Sequence, residues 1–494
     1  MDTIDTGRRA TLTMLGSTAL LGVVPLTLGG CESLLAQIAN RPRRRDLATL
    51  AANDPIIQGY RDAVAQMKAL PSTDPRNWNR QAQIHFDFCP HGNWFFLPWH
   101  RAYLLYFEQI CRTLIGDKNF ALPYWNWTCN RTLPAPFLGS ASNALFVSGR
   151  AGVPPAALGD GSVGPAVMDA ILDETNFLLF ASDASPGLRP PVGYGPLEGN
   201  PHNTVHGFVG GIMSSFQSPR DPVFWMHHNM IERVWWEWNV VRGHANTNDA
   251  AWNNFSLAGM FVDGNGTAVS PTVGSLNLAP LLSYQFDTSS ITSCGLRGLD
   301  IERFDRIALR KLLEEGGTAA LRPLRTLAGT GALEVPVGGA TSQVLRLSGA
   351  AAAAGAASGP DVRLVLRVRG VEQPPSGDSF VRVFVNRPDA DANTPITDPH
   401  YAGSFAFFAD PDAHHGHGQA GSAAFLVDAT AAVRRLRGLG RVGSDDEIGI
   451  TLVAVRQGGG PPRQDRLRVG GLELQLVQST APAARQFGED AQKR

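Results

Sequence analysis

The chain has 494 residues, 43% of them hydrophobic and 18% charged, which describes a soluble globular protein of two or three domains. A formal net charge of −1 excludes a bulk electrostatic case for nucleic acid or an anionic surface. Five cysteines, an odd number, speak against a complete disulfide framework.

Residues 1–40 read as an address rather than as fold. Arg8-Arg9 precede a softened apolar run, Leu12 to Leu28, too short for a membrane span. This is the pattern of an export signal with twin arginines, a route that carries folded proteins. Leu28-Gly29-Gly30-Cys31 resembles a bacterial lipoprotein cleavage box, so Cys31 is the lipidation candidate. The alternative is an ordinary cleaved signal with an incidental cysteine. The expected location is periplasmic or at the cell surface, with membrane attachment through a lipidated Cys31. The Pro/Arg run 41–45 then reads as a tether or solvated arm.

Asp54-Pro55 is a cap followed by a helix to about Leu70, broken by Pro71 to Pro75. A second helix starts near Trp78 and carries His85 at its end. Next comes the stretch HFDFCPHGNWFFLPWHRAYLLYFE, with His85, His91 and His100 among aromatics. Pro98 suits a first helical turn, because its missing N–H would be unpaired there anyway. His91 and His100 are about half a turn out of phase on one helix. They converge only if His91 lies in the loop before it. Three imidazoles in an apolar pocket suit a transition metal better than Mg²⁺ or Ca²⁺.

Residues 131–197 are rich in Pro, Gly, Ala and Ser, and read as an irregular segment around one helix near 164–180, forming part of an entrance. PHNTVHGF then places His202 and His206 at i, i+4 on one helix face. In DPVFWMHH, Asp221 is an N-cap, Pro222 a first helical residue, and His227 and His228 a pair. Adjacent helical residues point about 100° apart, so one of the two faces the metal, and periodicity does not say which. Two sets of three ligands on separate helices describe a dinuclear site in a helix bundle. A lone histidine on an apolar face is usually a satisfied core residue. Seven of twelve histidines in two tight clusters beside helix starts is a different pattern.

Trp235, Trp236 and Trp238 read as core packing. Asp300 to Glu315 reads as a charged helix ended by Gly316-Gly317. From about 335 the apolar period becomes two: Val362, Leu364, Leu366 and Val368, then Val381, Val383 and Val385, then Leu472, Leu474 and Leu476. Such runs between Gly/Pro turns predict a β-sandwich or barrel-like domain. His414, His415 and His417 read as a solvated loop within it. Cys111 and Cys129 are candidates to pair in an exported protein, and Cys294 has no assigned role.

The pieces HGNWFFLPWHR, LPYWNW at 122–127, PHNTVH and DPVFWMHH together resemble the tyrosinase or polyphenol oxidase family of type 3 copper proteins. FVRVFVN, YAGSFAFF and DDEIGITLVAV with VGGLELQL resemble the C-terminal domain of plant-type polyphenol oxidases. The resemblance implies an α + β multidomain protein. A mainly helical catalytic domain, 41–290, would hold a dinuclear site in a four-helix bundle. A linker with one helix, 291–334, a β-rich shielding domain, 335–478, and a polar tail, 479–494, would follow. It implies one copper ion on His85, His91 and His100, and a second on His202, His206 and His228, the last chosen by its place seven residues after Asp221.

It further implies a thioether between Cys89 and His91, the alternative being a free buried cysteine. Glu198 and Asn203 would hold a water near the second copper that helps remove the phenol proton, since a free phenol has a pKa near ~10. The bland alternative is a turn-capping glutamate and a polar neighbour. Glu232 stands where the family usually has Asp, which lengthens that acid by one methylene. The activity implied is oxidation of phenols and catechols to o-quinones by O₂, latent until the β domain is displaced or cut away. A catechol-only or o-aminophenol oxidase would use the same ligands. A hemocyanin-like O₂ carrier or a copper-storing lipoprotein are the non-enzymatic alternatives.

Overall fold

The structure is a computed structural model. It describes residues 40–189, 191–277, 279, 282–287, 290–294, 320–347, 361–374, 379–407, 423–441, 447–456 and 464–480. The export signal with Cys31, the Asp300–Glu315 helix and the histidines at 414, 415 and 417 lie outside the described residues. No described helix is long and apolar enough to cross a membrane.

Four helices make the helical domain's centre. α1, Pro55–Ala69, starts where the Asp54 side chain accepts from the Ile56 N–H at 2.9 Å, and buries Ile57, Tyr60, Val64 and Met67. α2, Trp78–Phe88, is capped by Asn77 and turns Trp78, Gln81, Ala82 and His85 inward. α3, Phe96–Ile115, begins two residues before Pro98 and ends at Gly116, whose φ of +67° is open to glycine at little cost. α4, Val223–Trp236, is buried along its whole length. Asp221 caps it, accepting from the Val223 N–H at 2.9 Å, and pairs with Arg150 at 2.6 Å. Trp235, Trp236 and Trp238 are buried in this core, as their reading requires.

The Pro/Arg run 41–45 is not a solvated arm. Arg43–Arg44 form strand β1, which pairs in parallel with β2, Gln285–Phe286. The Arg44 side chain is fully buried: it donates to Glu108 at 2.9 Å and Asn229 at 2.8 Å, and lies 3.4 Å over the Tyr284 ring. A buried charge is tolerable only when paired and hydrogen-bonded, and those partners are 64 to 240 residues away in sequence, outside any local reading. The cysteine pairing also differs from expectation. Cys129 is bonded to Cys294, and Cys111 is a buried free thiol.

The β domain is a sandwich. One antiparallel sheet has the order β5-β10-β7-β8: Ala340–Arg346, Glu447–Arg456, Ser379–Val385 and Tyr401–Ala406. The other has the order β3-β12-β6-β9: Ala320–Gly329, Gly471–Thr480, Val362–Val371 and Ala423–Asp428. A two-stranded ribbon pairs β4, Leu333–Pro336, with β11, Arg466–Val469. Val381, Val383 and Val385 from one sheet share a core with Leu364, Leu366, Val368, Leu472 and Leu474 from the other. The sheet begins at Ala320, earlier than the change of period at 335, because Pro323 and the arginines of β3 mask its alternation.

The outer face of the second sheet rests on the helical domain. Val365, Leu426 and Val477 point away from the sandwich core and pack with Leu179. Arg367, on the same face, pairs with Asp183 at 2.6 Å. Tyr194 adds to the edge of β9: its N–H donates to the Ala424 carbonyl at 2.9 Å, and its carbonyl accepts from the Leu426 N–H at 3.0 Å. Its ring stacks on Phe425.

Candidate metal centre

Two buried groups of donors lie side by side. The first is His85, Cys89, His91 and His100; the second is His202, His206, His227 and His228, and within each the donor atoms lie within 4.8 Å of one another. His85 comes from the last turn of α2 and His100 from the second turn of α3. His91 sits in the loop between them, as the half-turn mismatch requires. His202 ends a π-helical turn, Glu198–His202, and His206 lies in the following helix, α5, Asn203–Val209. His228 is on α4.

The groups meet. The His100 and His228 rings stack with centroids 4.2 Å apart and planes 15° apart, and His91 lies 5.6 Å from His202. Within the second group, Nε2 of His206 is 3.1 Å from Nε2 of His228. His228 is the member of its pair that faces the first group. The His227 ring lies on the far side, 4.8 Å from His206 and 6.3 Å from Trp127.

Backbone carbonyls set the tautomers. Nδ1–H of His85 donates to the Phe216 carbonyl at 2.7 Å, that of His100 to Phe96 at 2.8 Å, and that of His206 to Met213 at 2.6 Å. A proton on Nδ1 leaves the Nε2 lone pair as the donor toward a metal. Burial then keeps the rings neutral. It pushes His100 and His206 down to about 3, and the remaining five are also held well below the ordinary histidine range. Neutral imidazole is the form that ligates.

The residues therefore fit a pair of soft transition ions. Nε2 of His85 is buried with no hydrogen-bond partner, a costly state that a coordinated cation would relieve. No carboxylate belongs to either group, which disfavours hard cations.

The loop bearing His91 is clamped from the 182–198 segment. Glu198 accepts the Gly92 N–H at 2.8 Å and the Ser182 hydroxyl at 2.6 Å. Desolvation raises its pKa to about 8. The Gly92 carbonyl accepts from Val192 and Gly193 at 2.8 and 2.9 Å. Gly92 has φ +65°, and a Cβ there would stand 2.7 Å from Pro191, so the clamp requires glycine. Cys89 Sγ is 3.7 Å and 3.8 Å from the two ring nitrogens of His91 and 3.4 Å from Nε2 of His100.

Asn203 faces both domains. Its Oδ1 is 2.8 Å from His202 Nδ1, and its Nδ2 donates to the Ala406 carbonyl of β8 at 2.9 Å. Glu232 reaches Arg101, one residue after His100, at 2.9 Å and accepts the Tyr284 hydroxyl at 2.7 Å. Phe216, Met213, Ser182 and Ala406 carry no sequence signal, because three of them act through a carbonyl that every residue type possesses.

Residues 61–157 and 156–241 match the common central domain of tyrosinase. The chain is 30% identical to chloroplastic polyphenol oxidase A1 of Vicia faba over 42% of its length and 41% of that protein's. It is 29% identical to a chloroplastic polyphenol oxidase of Malus domestica, covering 53% and 52%. It is 29% identical to a tyrosinase of Hahella sp. (strain CCB-MM4), covering 47% and 61%. The matches thus span about half the length of these relatives. In fold, the chain superposes on latent apple tyrosinase with a TM-score of 0.66, covering 89% of this chain and 97% of that one at 22% identity. A latent aurone synthase superposes at 0.61, covering 89% and 90%.

Proposed function

We propose that this chain is an oxidoreductase of the tyrosinase and polyphenol oxidase family that oxidises phenols and catechols to o-quinones with O₂ at a pair of copper ions. The observation that carries the reading is the contact of two buried histidine groups through His100 and His228. His85, His91 and His100 would hold one ion; His202, His206 and His228 would hold the other. Bound there, copper supplies the redox chemistry and the site for O₂.

The electrons balance without a further reductant. Two catechols give up two electrons and two protons each, and one O₂ takes all four of each to become two waters. A monophenol and one O₂ give one o-quinone and one water. The chain's own contribution is geometry, dryness and proton handling. Asn203 orients His202, and Asn203 with Glu198 are the polar groups we place beside the phenol proton. Glu198→Ala is expected to lower monophenol turnover more than catechol turnover; equal loss would remove Glu198 from that role.

The β domain supports latency, because β8 lies against the segment that carries His202. Export by the twin-arginine route fits the Cys129–Cys294 disulfide, since such bonds persist in oxidising compartments. Lipidation at Cys31 would anchor the product, and the mass of the mature N-terminus tests it.

Oxygen uptake with a monophenol, a catechol and an o-aminophenol tests the reading. Turnover of the first two supports it. Turnover of catechol alone narrows it to a catechol oxidase, of the aminophenol alone redirects it, and none with copper-replete, β-domain-released protein refutes it.

A further inference from the structure

Near the first histidine group stands a guanidinium that the ligand assignment does not use, that of Arg189. Phe216 is half-buried, and its ring lies 5.1 Å from His91 and 5.8 Å from His85, so it is a partly exposed neighbour of the first group. The exposed Arg189 guanidinium lies 5.1 Å from the centre of that ring. Its Nη2 donates to the Phe86 carbonyl at 2.9 Å, in the last turn of α2. A helix C-terminus and an aromatic face both attract a cation, so the fork is held in place before any ligand arrives. Among the described residues no carboxylate lies within ion-pair distance of Arg189. Asp183, the neighbouring acid on the same segment, is taken by Arg367.

We propose that Arg189 determines substrate specificity by binding the carboxylate of phenols and catechols that carry an acidic side chain para to the reacting hydroxyl. The inference rests on the oxidase reading above and deepens it. Guanidinium is planar and presents parallel N–H groups that match a carboxylate. One aromatic ring, its centre 5.1 Å from the fork and 5.1 Å from the His91 ring, sets the separation that a short acidic tail would span.

The test compares 3-(3,4-dihydroxyphenyl)propionate with 4-methylcatechol, which has the same reacting ring without the acid, on the copper-loaded full chain. The expected result is a kcat/KM ratio favouring the acid, expressed mainly in KM and shrinking in about 0.5 M NaCl as salt screens an exposed pair. Arg189→Gln is expected to lower that ratio by about three- to tenfold, and Arg189→Lys to restore part of it. A ratio unchanged within about twofold in Arg189→Gln overturns the proposal. So does a salt-insensitive ratio. If neither substrate consumes O₂ even after the β domain is released, the oxidase reading itself fails, and this proposal fails with it.

Discussion

Asn203 donates its side-chain amide to the Ala406 carbonyl across 2.9 Å, so the residue that orients His202 is held by the β domain. Asn200, one turn earlier, donates to Ser404 on the same strand at 2.7 Å. Docking and the segment that carries His202 are therefore linked through β8. The outermost tie of the seam is Arg367 with Asp183, which is partly exposed. A pair of that kind contributes at most about 1 kcal/mol. Arg367→Ala is expected to raise catechol turnover of the full chain by about two- to fivefold, and to hasten proteolytic release of the β domain. Unchanged turnover together with faster cutting would separate docking from latency.

The seam also has a pH dependence of definite sign. Glu174 and Asp428 face one cavity of about 290 Å³ between the domains, with Asp173 and Tyr401 and with Arg363, Arg434 and Arg435 across it. Desolvation, then the neighbouring Asp428 charge, pushes Glu174 up to about 7, and burial pushes Asp428 up as well. Carboxyls raised in the docked state favour docking fully below their ordinary pKa, and that contribution is lost as pH rises through about 7. Proteolysis of the seam should therefore be slower at pH 5 than at pH 8, and Glu174→Gln should flatten the difference. The same rate at both pH values in the unaltered chain would count against it.

Glu232 ties together the helices that carry His100 and His228. It takes Arg101 from α3 and the Tyr284 hydroxyl near the chain's return to β1, all buried, and Arg101 lies 3.5 Å over Trp235. Removing one partner leaves a buried unpaired charge, which costs roughly 3–5 kcal/mol. Glu232→Ala should lower the denaturant midpoint strongly and Glu232→Asp only in part. Equal midpoints for all three chains would show that the pair is dispensable.

Cys89 lies about equally far from both ring nitrogens of His91, as a sulfur facing the carbon between them would. With copper bound and O₂ present to take up the two electrons and two protons released, peptide mapping is expected to find Cys89 and His91 joined and two hydrogens lighter. A freely alkylatable Cys89 in the copper-loaded protein would contradict the bond.

The histidine clusters are legible in sequence because helix caps and prolines fix where α2, α3 and α4 begin, and spacing then says which rings share a face. His91 shows the strength of that logic: its mismatch with His100 places it in the loop where it lies. The choice between His227 and His228 is not legible from periodicity, since all of α4 is buried and both have apolar neighbours at helical spacing. Arg44 and Cys294 escape a local reading for a related reason. Their partners, Glu108 and Cys129, are brought near only by the finished fold. Val365 marks the opposite case: an apolar residue between Arg363 and Arg367 on an outward face is a docking signal, visible once the sheet's inner face is known.

The most direct test of the central claim is a copper count on purified, metal-loaded chain beside His100→Ala and His206→Ala. The account expects two copper ions per chain, and about one in each variant, because each substitution removes a donor from a different group. Two full equivalents retained in both variants, or a single ion in the unaltered chain, would contradict it.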